Sequence, residues 1–99
     1  MIGSLRGEVI ASHDQQLLVE VAGVGYSVLV PMSIAKKASG SIFLFVETVV
    51  REDAITLYGF STTEELRVFE LLRSVSGVGP RLALGILSSL SVVQIAQAV

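Results

Sequence analysis

The sequence predicts an α+β protein: a five-stranded β-barrel over residues 1–61, then a small all-α domain over residues 62–99 that is incomplete. Three observations carry this expectation. Through residue 60, apolar and polar residues alternate with the period of two that half-buried strands need, and turn residues interrupt the pattern. Beyond Ser61 the apolar spacing changes to three and four, the period of one helix face. Within that helical part stands Gly77-Val78-Gly79, followed directly by Pro80, a residue suited to the first position of a helix.

The strands follow in order. Residues 1–11 make a plausible first strand, in which Gly7 marks a bulge or a close approach. Ser12-His13-Asp14-Gln15 is a polar turn. Leu17, Val19 and Val21 alternate, as do Tyr26, Val28 and Val30, with Gly23-Val24-Gly25 turning between them. Pro31 closes the third strand, and residues 33–39 form a short helical or irregular crossover that ends at Gly40. Residues 42–50 and 54–60 are a last hairpin joined by Arg51-Glu52-Asp53. Five short strands with a bridging segment after the third predict a closed barrel of the OB type, although an SH3-like barrel gives nearly the same pattern. Tyr26, Phe43, Phe45 and Phe60 alternate with apolar neighbours and read as barrel core rather than a base-stacking platform.

The helices have their own signals. Ser61-Thr62-Thr63-Glu64 is a capping box, with Ser61 capping and Glu64 reaching back. Val68, Leu71, Leu72 and Val75 then occupy one face. A second helix is expected over residues 80–89, where interior Gly85, at a cost of ~1 kcal/mol against alanine, suggests close helix contact. Ser91-Val92-Val93-Gln94 is another capping box, and its pattern is cut at Val99, so a truncated copy is expected. The helical part is near the ~40-residue floor for independent folding and should dock on the barrel or on a neighbour.

Composition narrows the function classes. The chain has 99 residues, of which 52% are hydrophobic, and the surplus of apolar surface points to burial against partner subunits. Mean hydropathy is +0.73, yet no apolar run approaches the ~18 residues that span a membrane, so no membrane partner is expected. The absence of cysteine excludes disulfides and thiolate metal sites and, with no secretory leader at Met1, suggests a reducing cytoplasmic setting. Net charge is −2 with seven basic residues, so any nucleic-acid affinity must come from aimed amides and a few cations repeated over several subunits.

The glycine turn is the most informative motif. Written with h for apolar, residues 72–87 fit h-x-x-h-x-G-h-G-x-x-x-A-x-x-h-h, filled by Leu72, Val75, Gly77, Val78, Gly79, Ala83, Ile86 and Leu87. This pattern resembles the helix-hairpin-helix family of DNA-binding motifs. A helix N-terminus carries partial positive charge and unpaired N–H donors, which suit a phosphate oxygen, and Arg81 adds a full charge in the first turn. An ordinary helical hairpin packed only for stability is the alternative.

Other features point to no catalysis. His13 is the single histidine and stands without a second ligand or base. Glu64 and Glu65 read as solvated helix-capping carboxylates, and Lys36-Lys37 as a surface step. No Ser/His/Asp set, metal spacing, Walker loop or dinucleotide fingerprint occurs, so an enzyme, a cofactor and a bound metal are not expected.

Met1-Ile2-Gly3 with Leu5-Arg6-Gly7, Gly23-Val24-Gly25-Tyr26, residues 49–54 (Val-Val-Arg-Glu-Asp-Ala), Leu57-Tyr58-Gly59-Phe60 and Gly77-Val78-Gly79-Pro80-Arg81-Leu82-Ala83 together resemble the RuvA family of bacterial Holliday-junction proteins. The likeness spans essentially the whole chain in order. It implies an OB-type barrel followed by a helical domain, assembled as a homotetramer on a four-way DNA junction in recombination and repair. It also implies the RuvB motor ATPase as partner, engaged through a C-terminal part of the family that is not in this sequence, as is a second helix-hairpin-helix. By the same resemblance, Ser76, Gly77, Val78, Gly79 and Arg81 hold junction-arm phosphates. Glu52 and Asp53 match the family's acidic pin, whose carboxylates repel phosphates where strands separate. Read alone, Arg51-Glu52-Asp53 is a solvated turn, and Arg51 either bonds to the pin or touches DNA. Two readings compete with junction binding: an oligomerising interaction module whose glycine hairpin is structural, and a lone barrel that binds single strands.

Overall fold

The computed structural model describes residues 1–89. Five strands close into a barrel: β1 (Ser4–His13), β2 (Gln16–Val21), β3 (Val24–Leu29), β4 (Gly40–Val50) and β5 (Ile55–Phe60). Their order around the barrel is β1-β2-β3-β5-β4. All neighbours are antiparallel except β3 and β5, which pair in parallel at Val28–Leu57 and Leu29–Tyr58. That order is the OB arrangement, and the SH3-like alternative falls away.

Closure depends on β1 serving two partners. Ser4 to Val9 pair with β4, while Glu8 to His13 pair with β2. The bulge lies between Val9 and Ala11, where register shifts, and not at Gly7. Gly7 is instead the close approach: a Cβ there would press on the Glu20 carbonyl and lie 2.9 Å from Val21 Cγ2.

Alternation then fills the lumen with Leu5, Leu17, Val19, Val28, Val30, Leu44, Val46 and Leu57. The turn between β2 and β3 falls at Ala22 and Gly23, both with positive φ (51° and 87°), rather than at residues 23–25. A two-residue loop of this hand matches strand twist, which lets β3 begin at Val24. Pro31 ends the third strand, and the crossover is a single turn, α1 (Met32–Ala35).

Two aromatic expectations are corrected by strand parity. Leu44 and Val46 take the lumen side of β4, so Phe43 and Phe45 lie on the outer face, edge to face at 5.0 Å. The Arg6 guanidinium covers the Phe43 ring at 4.8 Å from its centroid. Phe60 is fully buried but outside the lumen.

β5 explains why. It is buried on both faces: Leu57 looks into the barrel, while Tyr58 and Phe60 look toward two helices, α2 (Thr63–Arg73) and α3 (Pro80–Ser89). Gly59 takes the inner position because a Cβ would lie 2.8 Å from Val28 Cγ1 and 3.0 Å from Leu44 Cδ1.

Phe69 of α2 seats on both outer aromatics, with ring centroids 5.1 Å from Tyr58 and 4.9 Å from Phe60. Its surface is 0% exposed, and burial of such a ring contributes roughly 1.5–3 kcal/mol. That packing rotates α2: Leu66, Phe69 and Leu72 face inward, whereas Leu71 and Val75 point outward against the expected stripe.

The helix cap also moves by one residue. Thr62 Oγ1 accepts from the Glu65 N–H at 3.1 Å, and Glu65 Oε1 accepts from the Ser61 N–H at 3.1 Å. The β5 ladder runs through Phe60, so Ser61 is spent leaving the strand before the cap forms. The helical part does dock on the barrel, through a second core of Val49, Tyr58, Phe60, Phe69, Ala83, Leu84 and Leu87. Among the described residues nothing lies within 4 Å of a Cβ placed at Gly85, so the expected close helix contact is not found there. The capping box at Ser91 lies outside the described residues.

Candidate nucleic-acid interface

The segment between α2 and α3 is built by backbone bonds around one left-handed residue. Ser74 closes α2 by donating its N–H to Glu70 O and its hydroxyl to Leu71 O. The Val75 N–H reaches Leu72 O at 3.1 Å, and the Val78 N–H returns to Val75 O at 3.1 Å. That return needs φ of +86° at Gly77, a region costly for any residue with a Cβ. Val78 anchors the turn against the helical core, and buried Pro80 starts α3.

Gly79 is the N-cap of α3, since its carbonyl accepts the first helical bond from the Ala83 N–H at 3.0 Å. Between these bonds, the N–H groups of Ser76, Gly77, Gly79, Arg81 and Leu82 have no acceptor among the described residues. All five residues are exposed. A Cβ at Gly79 would meet nothing within 4 Å, so a ligand can approach the backbone itself. Unpaired donors at the positive end of a helix favour an anion.

Arg81 is exposed, forms no ion pair among the described residues, and lines a groove with His13, Asp14 and Gln15 of the β1–β2 turn. Arg73, at the end of α2, is engaged elsewhere: its Nη1 lies 3.6 Å from Glu47 Oε2 on β4, with its guanidinium near the Phe69 ring. Burial, with a hydrogen bond and repulsion from Glu70, raises the Glu47 carboxyl above its ordinary range, and Arg73 opposes this.

The acidic residues stand on a second projection. The Arg51 N–H donates to Ala54 O at 2.8 Å and closes the β4–β5 tip. Arg51, Glu52, Asp53 and Ala54 are exposed, and the flanking Ile55 is 70% exposed. Neither Glu52 nor Asp53 forms an ion pair among the described residues, and Arg51 does not bond to them. Val49, just before this tip, packs in the same core as Ala83, Leu84 and Leu87 of α3. One packed core therefore carries both the glycine hairpin and the base of the acidic hairpin.

Sequence reasoning missed three participants. Leu82 offers a free N–H beside an exposed apolar side chain, a feature the pattern of apolar letters hides. Gln15 and Ser88, 73 residues apart, bond to each other across the barrel and α3, and no local signal announces that pair. Among the described residues no cluster of His, Asp or Glu could hold a metal, and no helix is long and apolar enough to cross a membrane.

Comparison with known proteins places the chain in a family. The family model described as RuvA N terminal domain matches residues 1–59, and that described as SAM-like helix-hairpin-helix tandem matches residues 69–99. The Holliday junction branch migration complex subunit RuvA of Halothermothrix orenii is 54% identical over 92 residues, covering 92% of this chain and 47% of the relative. The protein of the same name from Solibacter usitatus is 50% identical, with 92% of this chain and 48% of the relative covered. That from Albidiferax ferrireducens is 47% identical, with 100% and 54% covered. The chain spans about half the length of the curated relatives it matches. With residues 1–59 matched by its N-terminal domain, the chain belongs to the RuvA family.

Proposed function

We propose that this chain binds four-way DNA junctions by shape, as a non-catalytic subunit of a branch-migration complex acting in recombination and repair. Its relatives are named as Holliday junction branch migration complex subunits, which supports the reading. The observation that carries it is the hairpin of residues 76–82, where N–H groups and an Arg81 without partners among the described residues converge with an open Gly79 on one helix start. Phosphate oxygens are the ligand such donors suit, and phosphate contacts position a protein without reading bases.

In this reading Ser76, Gly77, Gly79 and Arg81 grip the backbone of a junction arm, whereas Val78, expected from the sequence to join them, has its N–H bonded to Val75 O and anchors the turn instead. Glu52 and Asp53 repel phosphates at the crossover and disfavour continuous duplex there. Arg51, free of local pairing among the described residues, adds a cation beside them. Seven basic residues against nine acidic ones make one copy a weak binder, so four copies act together on four arms. A RuvB motor supplies the ATP-driven step. The setting is the bacterial cytoplasm.

The test is titration of the chain against a labelled four-way junction and a sequence-matched duplex at two salt concentrations. Junction preference, affinity that falls steeply with salt, and weakening by Arg81→Glu are expected. One observation favours a second reading: Leu71, Val75 and Leu82 expose apolar side chains around the hairpin, as an oligomerising module would. Salt-insensitive or absent DNA binding at micromolar protein would contradict the first reading in favour of that one.

A further inference from the structure

The hydroxyl of Ser88 is used to its full capacity at the seam between α3 and the barrel. It accepts from Gln15 Nε2 at 2.8 Å and from the Met32 N–H at 3.0 Å, and it donates to Leu84 O at 2.9 Å. The Met32 amide begins α1, where Pro31 supplies no side-chain cap, so a residue of α3 does that work from across the seam. Gln15 spends its second hydrogen on Val30 O at 3.2 Å, while the Val30 N–H donates to Gln15 O at 2.8 Å. One amide side chain thus ties the β1–β2 turn, the end of β3 and α3 together. These contacts are half-buried, which shields them from competing water. Gln15 and Met32 also line the groove that Arg81 borders.

We propose that Gln15 and Ser88 are positioning residues: they lock the phosphate-binding hairpin in register with the acidic tip, and that register sets selectivity for junctions over duplex. The inference rests on the junction-binding reading above. The packed apolar core holds α3 near the barrel but is non-directional, whereas a fully satisfied hydroxyl fixes rotation and sliding of the helix. Duplex binding needs the hairpin alone. A junction must seat its arms on the hairpin while its open centre, and not a continuous duplex, meets the repelling tip, so its binding depends on the fixed separation of hairpin and tip. Loosening the seam therefore penalises the junction, whose crossover must clear the tip while its arms stay on the hairpin, and spares a duplex held by the hairpin alone.

The test measures junction and duplex affinity together with thermal midpoint for Ser88→Ala, Ser88→Thr and Gln15→Met in the full chain. Ser88→Ala and Gln15→Met should each lower junction affinity by about tenfold and leave duplex affinity within about twofold, the scale of one or two lost hydrogen bonds. Ser88→Thr, which keeps the hydroxyl, should restore the junction-to-duplex ratio. The double variant Gln15→Met with Ser88→Ala should fall well short of the sum of the two losses. Equal losses on both ligands, or an unchanged ratio in folded Ser88→Ala and Gln15→Met, would overturn the inference and leave the functional reading standing. A parent chain with no junction preference would overturn both. Should Ser88→Ala unfold, Gln15→Met, which removes contacts of one turn residue only, decides the matter alone.

Discussion

Gly77 and Gly79 flank one residue yet do different physical work, and alanine at each should separate folding from binding. Gly77 holds φ of +86°, where a Cβ meets its own backbone at a cost of ~1–2 kcal/mol. Part of that is offset by reduced freedom of the unfolded chain, ~0.4–1 kcal/mol, leaving a net loss near 1 kcal/mol. For a domain of this size that lowers the thermal midpoint by roughly 4–8 °C. Gly79 has no positive φ, and a Cβ there touches nothing within 4 Å. Alanine at an N-cap is somewhat worse than glycine, but the same unfolded-state gain offsets it, so the midpoint should stay within about 3 °C. Binding should rank the other way. A methyl at Gly79 stands where a phosphate oxygen must come within ~3 Å of the amide, and one lost charge-assisted bond weakens junction affinity by roughly tenfold or more. The assays are calorimetric melting and fluorescence titration with a four-way junction. The reasoning fails if Gly79→Ala binds like the parent, or if it destabilises the fold as much as Gly77→Ala does.

Other perturbations probe the rest of the architecture. Phe69→Ala removes the fully buried ring that seats on Tyr58 and Phe60 and should cost about 3–5 kcal/mol in urea unfolding. A loss below 1 kcal/mol on the scale of surface substitutions would contradict the placement of α2. The raised Glu47 carboxyl means the folded state holds that proton more tightly than the unfolded chain does. Its contribution is therefore greatest below the ordinary 4.5 and is lost as pH rises through the raised value. Glu47→Gln should accordingly raise the thermal midpoint relative to the parent more near pH 7 than near pH 4; the reverse order would refute the assignment. Replacing Glu52 and Asp53 by lysine should raise duplex affinity and blur junction preference with little change in stability, since both are exposed. Unchanged selectivity in that variant would remove the acidic tip from the mechanism.

Much of this fold was legible because period-two alternation and turn residues speak locally. Leu17, Val19 and Val28 announced the lumen, and Pro80 announced the start of α3. What stayed hidden depends on contacts distant in sequence. Phe43 and Phe45 look like core by composition, and only the pairing of Leu5 with Leu44 fixes which parity enters the barrel. The face of α2 is only half legible: Val68, Leu71, Leu72 and Val75 form a good stripe by letters, yet only Val68 and Leu72 pack on the core. The pocket between Tyr58 and Phe60 rewards Phe69 more than that stripe rewards itself. The caps at Ser61 and Thr62 differ by one residue because two S/T-x-x-E spacings overlap, and the strand's end decides between them. At the site, the glycine spacing revealed the turn, while the open space at Gly79 is visible only in three dimensions. Glu52 and Asp53 carry no local signal beyond a charged turn, and the role proposed for them rests on resemblance.

The central claim is that backbone amides at the α2–α3 hairpin contact DNA phosphates. The most direct measurement is amide chemical-shift mapping of the isotope-labelled chain during titration with a four-way junction. The account predicts that the largest shifts fall on Gly77, Gly79, Arg81 and Leu82 and fade as salt is raised. Shifts that spare those amides and gather on the outer face around Arg6, Phe43 and Phe45 would contradict it.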